Sequence, residues 1–202
     1  MHFVLATANP DKAAEIGNVL VESGITVALE ARDPKIPETI ESGATLEENA
    51  RLKAIEVATW TGRPAIADDT GLEVDALDGA PGVRSARFAG EDATYADNVR
   101  LLLSQLAGIP EARRAARFST VAIARWPDGR EVAALGTVEG RIAQRPRGKG
   151  GFGYDPVFIP DDGDGRTFAE MSAGEKDACS HRGRAFRTLA EGLRVAVETG
   201  ES

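Results

Sequence analysis

The sequence predicts an α/β fold. Residues 2–6 are apolar and β-prone and read as a buried first strand; a polar turn, a helix-periodic stretch and a second strand candidate follow. Two S/T-x-x-E signatures, Thr45 with Glu48 and Ser172 with Glu175, mark further helix starts. Two β-rich runs in the second half are joined by Pro127-Asp128-Gly129, a hairpin signal.

The elements follow in chain order. Asn9 suits an N-cap and Pro10 a first helical position. Ile16, Val19 and Leu20 recur at helical spacing, and Gly24 stops that helix. Residues 25–29 are the second strand candidate, and residues 31–44, with Pro34, Pro37 and Gly43, read as a loop. The Thr45 box opens a helix expected to run to Thr61. Residues 65–67 form a short apolar strand that ends on Asp68-Asp69-Thr70-Gly71, and residues 79–90 form a glycine-rich loop. Thr94 caps a helix whose apolar stripe is Val99, Leu102, Leu103 and Leu106. Residues 118–126 and 132–138 are the hairpin strands, and residues 148–153 form a second glycine-rich loop. The last helix carries Phe186, Leu189, Leu193 and Val197 on one face. No repeat or linker interrupts the 202 residues, so a single domain, 1–202, is expected.

Composition limits function. Hydrophobic residues at 42% and charged residues at 28% suit a globular chain. A formal net charge of -8 opposes general nucleic-acid binding, which needs a basic face. It leaves room for a small anionic substrate, because a metal ion and a few placed cations reverse the sign locally. Cys179 is the only cysteine, so an intrachain disulfide is excluded. The N-terminus runs straight into a polar motif, unlike a signal peptide. No stretch approaches the roughly 20 apolar residues of a membrane helix. The expectation is a cytoplasmic protein with no membrane or nucleic-acid partner.

Four motifs invite chemistry. Asp68-Asp69 lies where an apolar strand ends, and ligands gather beyond the carboxyl ends of strands in open α/β sheets. Two such carboxylates can hold a hard cation and position water, or simply cap a helix. In extended backbone they face opposite sides, so one of them is expected to point into a site. Residues 7–12 (Thr-Ala-Asn-Pro-Asp-Lys) precede the first helix, where backbone N–H groups favour phosphate and Lys12 adds charge; a plain N-cap has the same pattern. The P-loop spacing is absent. Residues 148–153 spell G-x-G-x-x-G, but Tyr154-Asp155-Pro156 follows where a dinucleotide fingerprint would open a helix. A loop presenting N–H groups and the Phe152 ring to a nucleotide fits better, set against a solvated basic loop with Arg141, Arg145, Arg147 and Lys149. Cys179 and His181 lack partners at zinc-ligand spacing, and residues 161–165 read as a surface turn, not a calcium loop.

Together, LATANPDK, ESGATLEENARLKA, PAIADDTGLEVDALDGAPGVRSARFAG, GTVEGRIA, GKGGFGYDPVF, TFAEM and EKDACSHRGRA run in this order from Leu5 to Ala185. The ordered set resembles the inosine/xanthosine triphosphate pyrophosphatase (Ham1-like) family. That resemblance implies a long mixed central β-sheet flanked by helices, in two lobes with an active-site cleft, and a homodimer. It implies Mg²⁺-dependent cleavage of dITP, ITP and XTP to the nucleoside monophosphate and pyrophosphate, which cleanses the nucleotide pool of deaminated purines. Carried onto this sequence, it makes Asp69 the general base and a metal ligand, with Glu41 as a second ligand. Substrate contacts fall on Thr7, Ala8, Asn9, Pro10, Asp11, Lys12, Lys53, Thr70, Phe152, Gly153, Tyr154, Asp155, Lys176, His181 and Arg182.

This chain departs from the family pattern in small ways. Ala8 replaces a usual Gly, Thr70 replaces a frequent Ser, and Ile40 precedes Glu41 where the family often has a second acid. The competing readings are a Maf-type dTTP/UTP pyrophosphatase and a nucleotide-binding module without turnover. The SHR and GFGYDP segments favour the purine family over Maf, and Asp68, Asp69 and the lysines favour turnover.

Overall fold

The computed structural model describes residues 1–198. Its elements are β1 (His2–Leu5), α1 (Pro10–Glu22), β2 (Ala28–Glu30), α2 (Leu46–Thr61), β3 (Ala65–Val74), β4 (Pro81–Gly82), α3 (Tyr95–Gln105), β5 (Ala115–Arg125), β6 (Glu131–Ile142), β7 (Phe158–Pro160), α4 (Ala173–Cys179) and α5 (His181–Glu198). One mixed seven-stranded sheet runs β2-β1-β3-β5-β6-β7, with β4 on β3. β1 is parallel to β2 and β3; β4 is antiparallel to β3, and β7 to β6. The α/β expectation and the mixed sheet are both met.

Packing divides the chain into two compact units. The first comprises Met1–Asp69, Thr120–Gly136 and the chain from Arg182. Its strands alternate strictly. Phe3, Leu5, Ile66, Ala122 and Ala124 face one core with Ile16, Val19 and Leu20 of α1 and Phe186, Leu189 and Leu193 of α5. Val4, Ala6, Ala65, Ala67, Val121 and Ile123 face the other core with Ala50, Ala54 and Val57 of α2. Period-two alternation in a sheet covered on both faces produces this split. Trp126 closes the first core edge-on against Phe3, with ring centroids 5.4 Å apart. Fully burying one such large apolar side chain contributes about 1.5–3 kcal/mol. The side chain of Val197 lies outside the described residues.

The second unit comprises Thr70–Ser119 and Thr137–His181. Leu72, Val99, Leu102, Leu106, Val138 and Phe158 are among the side chains that form its core. Phe118 is the hub of its aromatic cluster, at 4.8 Å from Phe158, 6.4 Å from Phe168 and 4.3 Å from His181.

Several boundaries differ from the sequence reading. β3 does not end at Asp68; it continues through both acids to Val74 and gains β4 as a partner at Leu72 and Glu73. β1 stops at Leu5, β2 is only Ala28–Glu30, and Leu106 caps α3 instead of belonging to it. The hairpin strands are longer than expected, and the turn closes through Trp126 N–H donating to the Arg130 carbonyl at 2.9 Å. Both expected capping boxes are present, at Thr45/Glu48 and Ser172/Glu175. Ser180, with extended backbone, separates α4 from α5, so His181 opens a helix of its own.

Candidate active site

The first unit carries a buried charge cluster built by the alternation of β3. Asp68 shares the face of Ile66 and so looks toward α1 and α5. Its Oδ2 is 3.2 Å from Lys12 Nζ and 3.3 Å from an Arg182 guanidinium nitrogen. Asp69 shares the face of Ala65 and Ala67 and looks toward α2. Its Oδ1 accepts from Lys53 Nζ at 2.7 Å, and the same ammonium donates to Glu41 at 3.0 Å. The expectation that neighbouring acids face opposite sides therefore holds. Glu15, one turn after Lys12 on α1, completes the cluster by accepting from Arg182 at 2.6 Å.

This arrangement sets the protonation states. Burial pushes Asp68 up, but the cations of Lys12, Arg182 and Lys53 outweigh it and hold its carboxyl well below the usual carboxylate range. Burial dominates at Asp69, and Lys53 and Lys12 offset it only in part, so Asp69 sits above its ordinary value. Burial pulls Lys12 below its ordinary value against the attraction of Asp68. Burial also acts on Lys53, but Asp69, Asp68 and Glu41 together carry it upward. Two adjacent carboxylates thus have different chemistry: Asp68 is a fixed anion, and Asp69 is a stronger base than a solvated aspartate.

The start of α1 is held by its own cap. Thr7 Oγ1 accepts from Asn9 N–H at 3.1 Å, and Asn9 Oδ1 accepts from the N–H groups of Asp11 at 2.9 Å and Lys12 at 3.4 Å. Ala8 and Pro10 belong to this turn; Ala8 is exposed and Pro10 is exposed at the first helical position.

The second unit holds the glycine-rich loop. Asp155 is buried; it accepts from Phe152 N–H at 2.8 Å and from Lys176 Nζ at 2.5 Å. Gly151 has φ +65°, and a Cβ there would meet Asp155 Oδ2, so this tight loop requires glycine. Phe152 lies 4.7 Å below the Lys176 ammonium and 5.9 Å from the Tyr95 ring. Gly153 continues the turn with φ +60°. The Tyr154 hydroxyl donates to the Ser85 carbonyl at 2.9 Å, which anchors the loop in the core. Thr70 is half-buried in β3. His181 is buried and stacks on Phe118 with the planes 15° apart.

In the first unit, Lys12 and Arg182 thus meet Asp68 on one face of β3 and Glu41 and Lys53 meet Asp69 on the other, and Phe152, Asp155 and Lys176 come together in the second unit. The sequence reading missed Glu15, whose only local signal is its i+3 spacing from Lys12. Among the described residues, no group of three or more His, Cys, Asp or Glu side chains gathers at metal-holding distance. No described helix is long and apolar enough to cross a membrane.

The sequence profile of the Ham1 family matches residues 3–192, and the chain belongs to that family. It is 49% identical over 195 residues to the dITP/XTP pyrophosphatase of Mycolicibacterium paratuberculosis, covering 95% of each chain. It is 46% identical over 198 residues to the dITP/XTP pyrophosphatase of Symbiobacterium thermophilum, covering 98% of this chain and 97% of that one. Among solved structures, a HAM1 protein from Coxiella burnetii has a TM-score of 0.86 at 39% identity, covering 97% of this chain and 100% of that one. The nucleoside-triphosphatase / dITP/XTP pyrophosphatase of Mycobacterium abscessus has a TM-score of 0.73 at 46% identity, covering 94% and 97%.

Proposed function

We propose that this chain hydrolyses dITP, ITP and XTP to the nucleoside monophosphate and pyrophosphate, with Mg²⁺, as a cytoplasmic homodimer. The observation that carries the chemistry is the split of Asp68 and Asp69 onto opposite faces of β3, one acid neutralised by Lys12 and Arg182 and the other left basic beside Lys53. The named relatives support the substrate class.

Mg²⁺ fits the donor set. Asp69 and Glu41 offer hard carboxylate oxygens, and Asp69 Oδ2 is buried with no hydrogen-bond partner among the described residues. One or two carboxylates plus substrate phosphates commonly suffice for this ion. When bound, it supplies charge neutralisation at phosphate oxygens. Lys53 and Lys12 add positive charge from the chain itself. Asp69 accepts a proton from the attacking water and orients it. Glu15 and Asp68 hold the Arg182 guanidinium in one orientation. In the second unit, the Phe152 ring offers a stacking face for a base, fixed by the Asp155–Lys176 pair. Donors aimed at a 6-oxo group accept hypoxanthine and xanthine and meet the 6-amino group of adenine badly, at about 1–3 kcal/mol per unpaired buried donor.

A pyrophosphate-release assay with dITP, XTP, dATP, dGTP and dTTP tests the reading. Release from dITP and XTP at kcat/KM about 10² above dATP is expected. Preference for dTTP, or binding without release, would refute it. Sedimentation of an active, stable monomer would refute the homodimer.

A further inference from the structure

We propose that Asn49 is a positioning residue for Glu41: the first turns of α2 grip the backbone beside Glu41 and set where its carboxylate meets Lys53. The proposal rests on the reading above, in which Glu41 and Asp69 serve the phosphate chemistry.

Residues 31–44 contain no helix or strand, so this segment is placed by individual contacts and not by a ladder of regular hydrogen bonds. Three consecutive N–H groups where it joins α2 are received by that helix. Gly43 donates to Asn49 Oδ1 at 2.8 Å, and Ala44 and Thr45 donate to Glu48 Oε2 at 2.6 and 3.1 Å. A capping box accounts for Glu48 and Thr45. It does not account for Asn49.

Asn49 is fully buried, as are Ala50 and Ala54 of the same helix. Asparagine is a poor helix former, and its Nδ2 has no hydrogen-bond partner among the described residues. An apolar side chain would serve stability better at such a position, because an orphaned buried donor is unfavourable. What asparagine adds is the acceptor for Gly43. The approach is close: a Cβ on Gly43 would lie 2.7 Å from Asn49 Oδ1 and 2.6 Å from Glu48 Cβ, so only glycine docks there. Only Ser42 separates that docked residue from Glu41. Lys53 lies one helical turn after Asn49 on the same helix face, and its ammonium joins Glu41 to Asp69 at 3.0 and 2.7 Å. One stretch of α2 thus holds both the base of the loop and the cation that its carboxylate meets. Side-chain placement to within an ångström governs rate at such a centre.

The test compares Asn49→Ala, Glu41→Gln and the double variant in the full chain. Asn49→Ala is expected to lower kcat/KM for dITP by about 10–100-fold, on the scale of an ångström displacement. In the Glu41→Gln background the same change should cost less than about twofold, because two residues acting through one contact do not add. Two further readouts need no turnover. The Gly43 amide should exchange with solvent at least about tenfold faster in Asn49→Ala, having lost its buried acceptor. Mn²⁺ binding, followed by electron paramagnetic resonance, should weaken in both single variants. Losses that multiply in the double variant would overturn the proposal. So would near-normal kcat/KM in an Asn49→Ala protein that is merely less stable. Glu41→Gln with normal turnover would overturn it too, by removing Glu41 from the chemistry. Failure of the triphosphatase reading would look different: no pyrophosphate release by the unaltered chain. In that case Gly43 exchange and Mn²⁺ binding decide the positioning role. If Asn49→Ala does not fold, Asn49→Ser, too short to reach Gly43, takes its place with the same expectations.

Discussion

Replacing Asp68 by Asn should damage stability, whereas replacing Asp69 by Asn should damage turnover. Asp68 Oδ2 faces two cations at 3.2 and 3.3 Å. At an effective dielectric of about 20, each contact has a gross Coulomb energy of about 5 kcal/mol. Desolvation offsets most of that, but deleting one member of a buried charge pair costs about 3–5 kcal/mol, because the partner stays buried. Asn keeps one acceptor oxygen, Arg182 keeps Glu15 at 2.6 Å, and the Lys12 side chain, 20% exposed, can gain water. The lower end, about 3 kcal/mol, is therefore expected. For a chain of this length that lowers Tm by about 6–12 °C. Asp69→Asn leaves Lys53 paired with Glu41 and removes a carboxylate that burial already disfavours, so its Tm should stay within about 3 °C. Its kcat should fall by at least about 10², the scale of a lost general base. Calorimetry and pyrophosphate release on both variants decide. An Asp68→Asn protein that melts like the parent yet loses turnover as Asp69→Asn does would refute the division of labour.

Other outcomes follow from the same geometry. In metal-free protein, carboxyl NMR should find Asp69 titrating above and Asp68 below the usual aspartate value of about 3.9. The stability signs are opposite: the contribution of Asp68 is complete above about pH 4 and lost as pH falls toward its depressed value, whereas that of Asp69 is present at low pH and lost as pH rises through its raised value. Lys53→Met should raise Asp69 further, and an unchanged titration would remove Lys53 as its main counter-charge. Gly151→Ala, whose Cβ meets the Asp155 carboxylate, should raise KM for every triphosphate with little change in kcat; an unchanged KM would free this loop from a role in binding. Lys12→Ala should weaken ITP and ATP alike, and a selective loss of one would place Lys12 at the base instead of the phosphates.

The parts of this fold that were legible in the sequence are those written in short windows. Both S/T-x-x-E boxes, the Asn9 cap and the Pro127-Asp128-Gly129 turn depend on residues three or four apart, and each formed where expected. The end of β3 was misread because Asp-Asp-Thr-Gly is turn chemistry by composition. Those acids stay in a strand because Lys12, Lys53 and Arg182, from three separate helices, neutralise them, and Arg182 is 114 positions away from Asp68. β4 and β7, of two and three residues, are too short to show a period. The Asp155–Lys176 pair spans 21 positions and has no local signature. Family resemblance reached these residues; periodicity could not.

The distribution of the aromatic side chains makes the two compact units optically distinct. Both tryptophans of the chain, Trp60 and Trp126, belong to the first unit, and both tyrosines, Tyr95 and Tyr154, belong to the second. Trp126, nine-tenths or more shielded against Phe3, should emit to the blue, while Trp60, 56% exposed, should be open to a soluble quencher. A Trp60→Phe protein would therefore carry a single indole reporting on the first unit alone. The near-ultraviolet dichroism of Tyr154, buried with its hydroxyl fixed on Ser85, would report on the second. Recording both signals during one urea titration reveals whether the halves lose structure together or in sequence, without any label being attached.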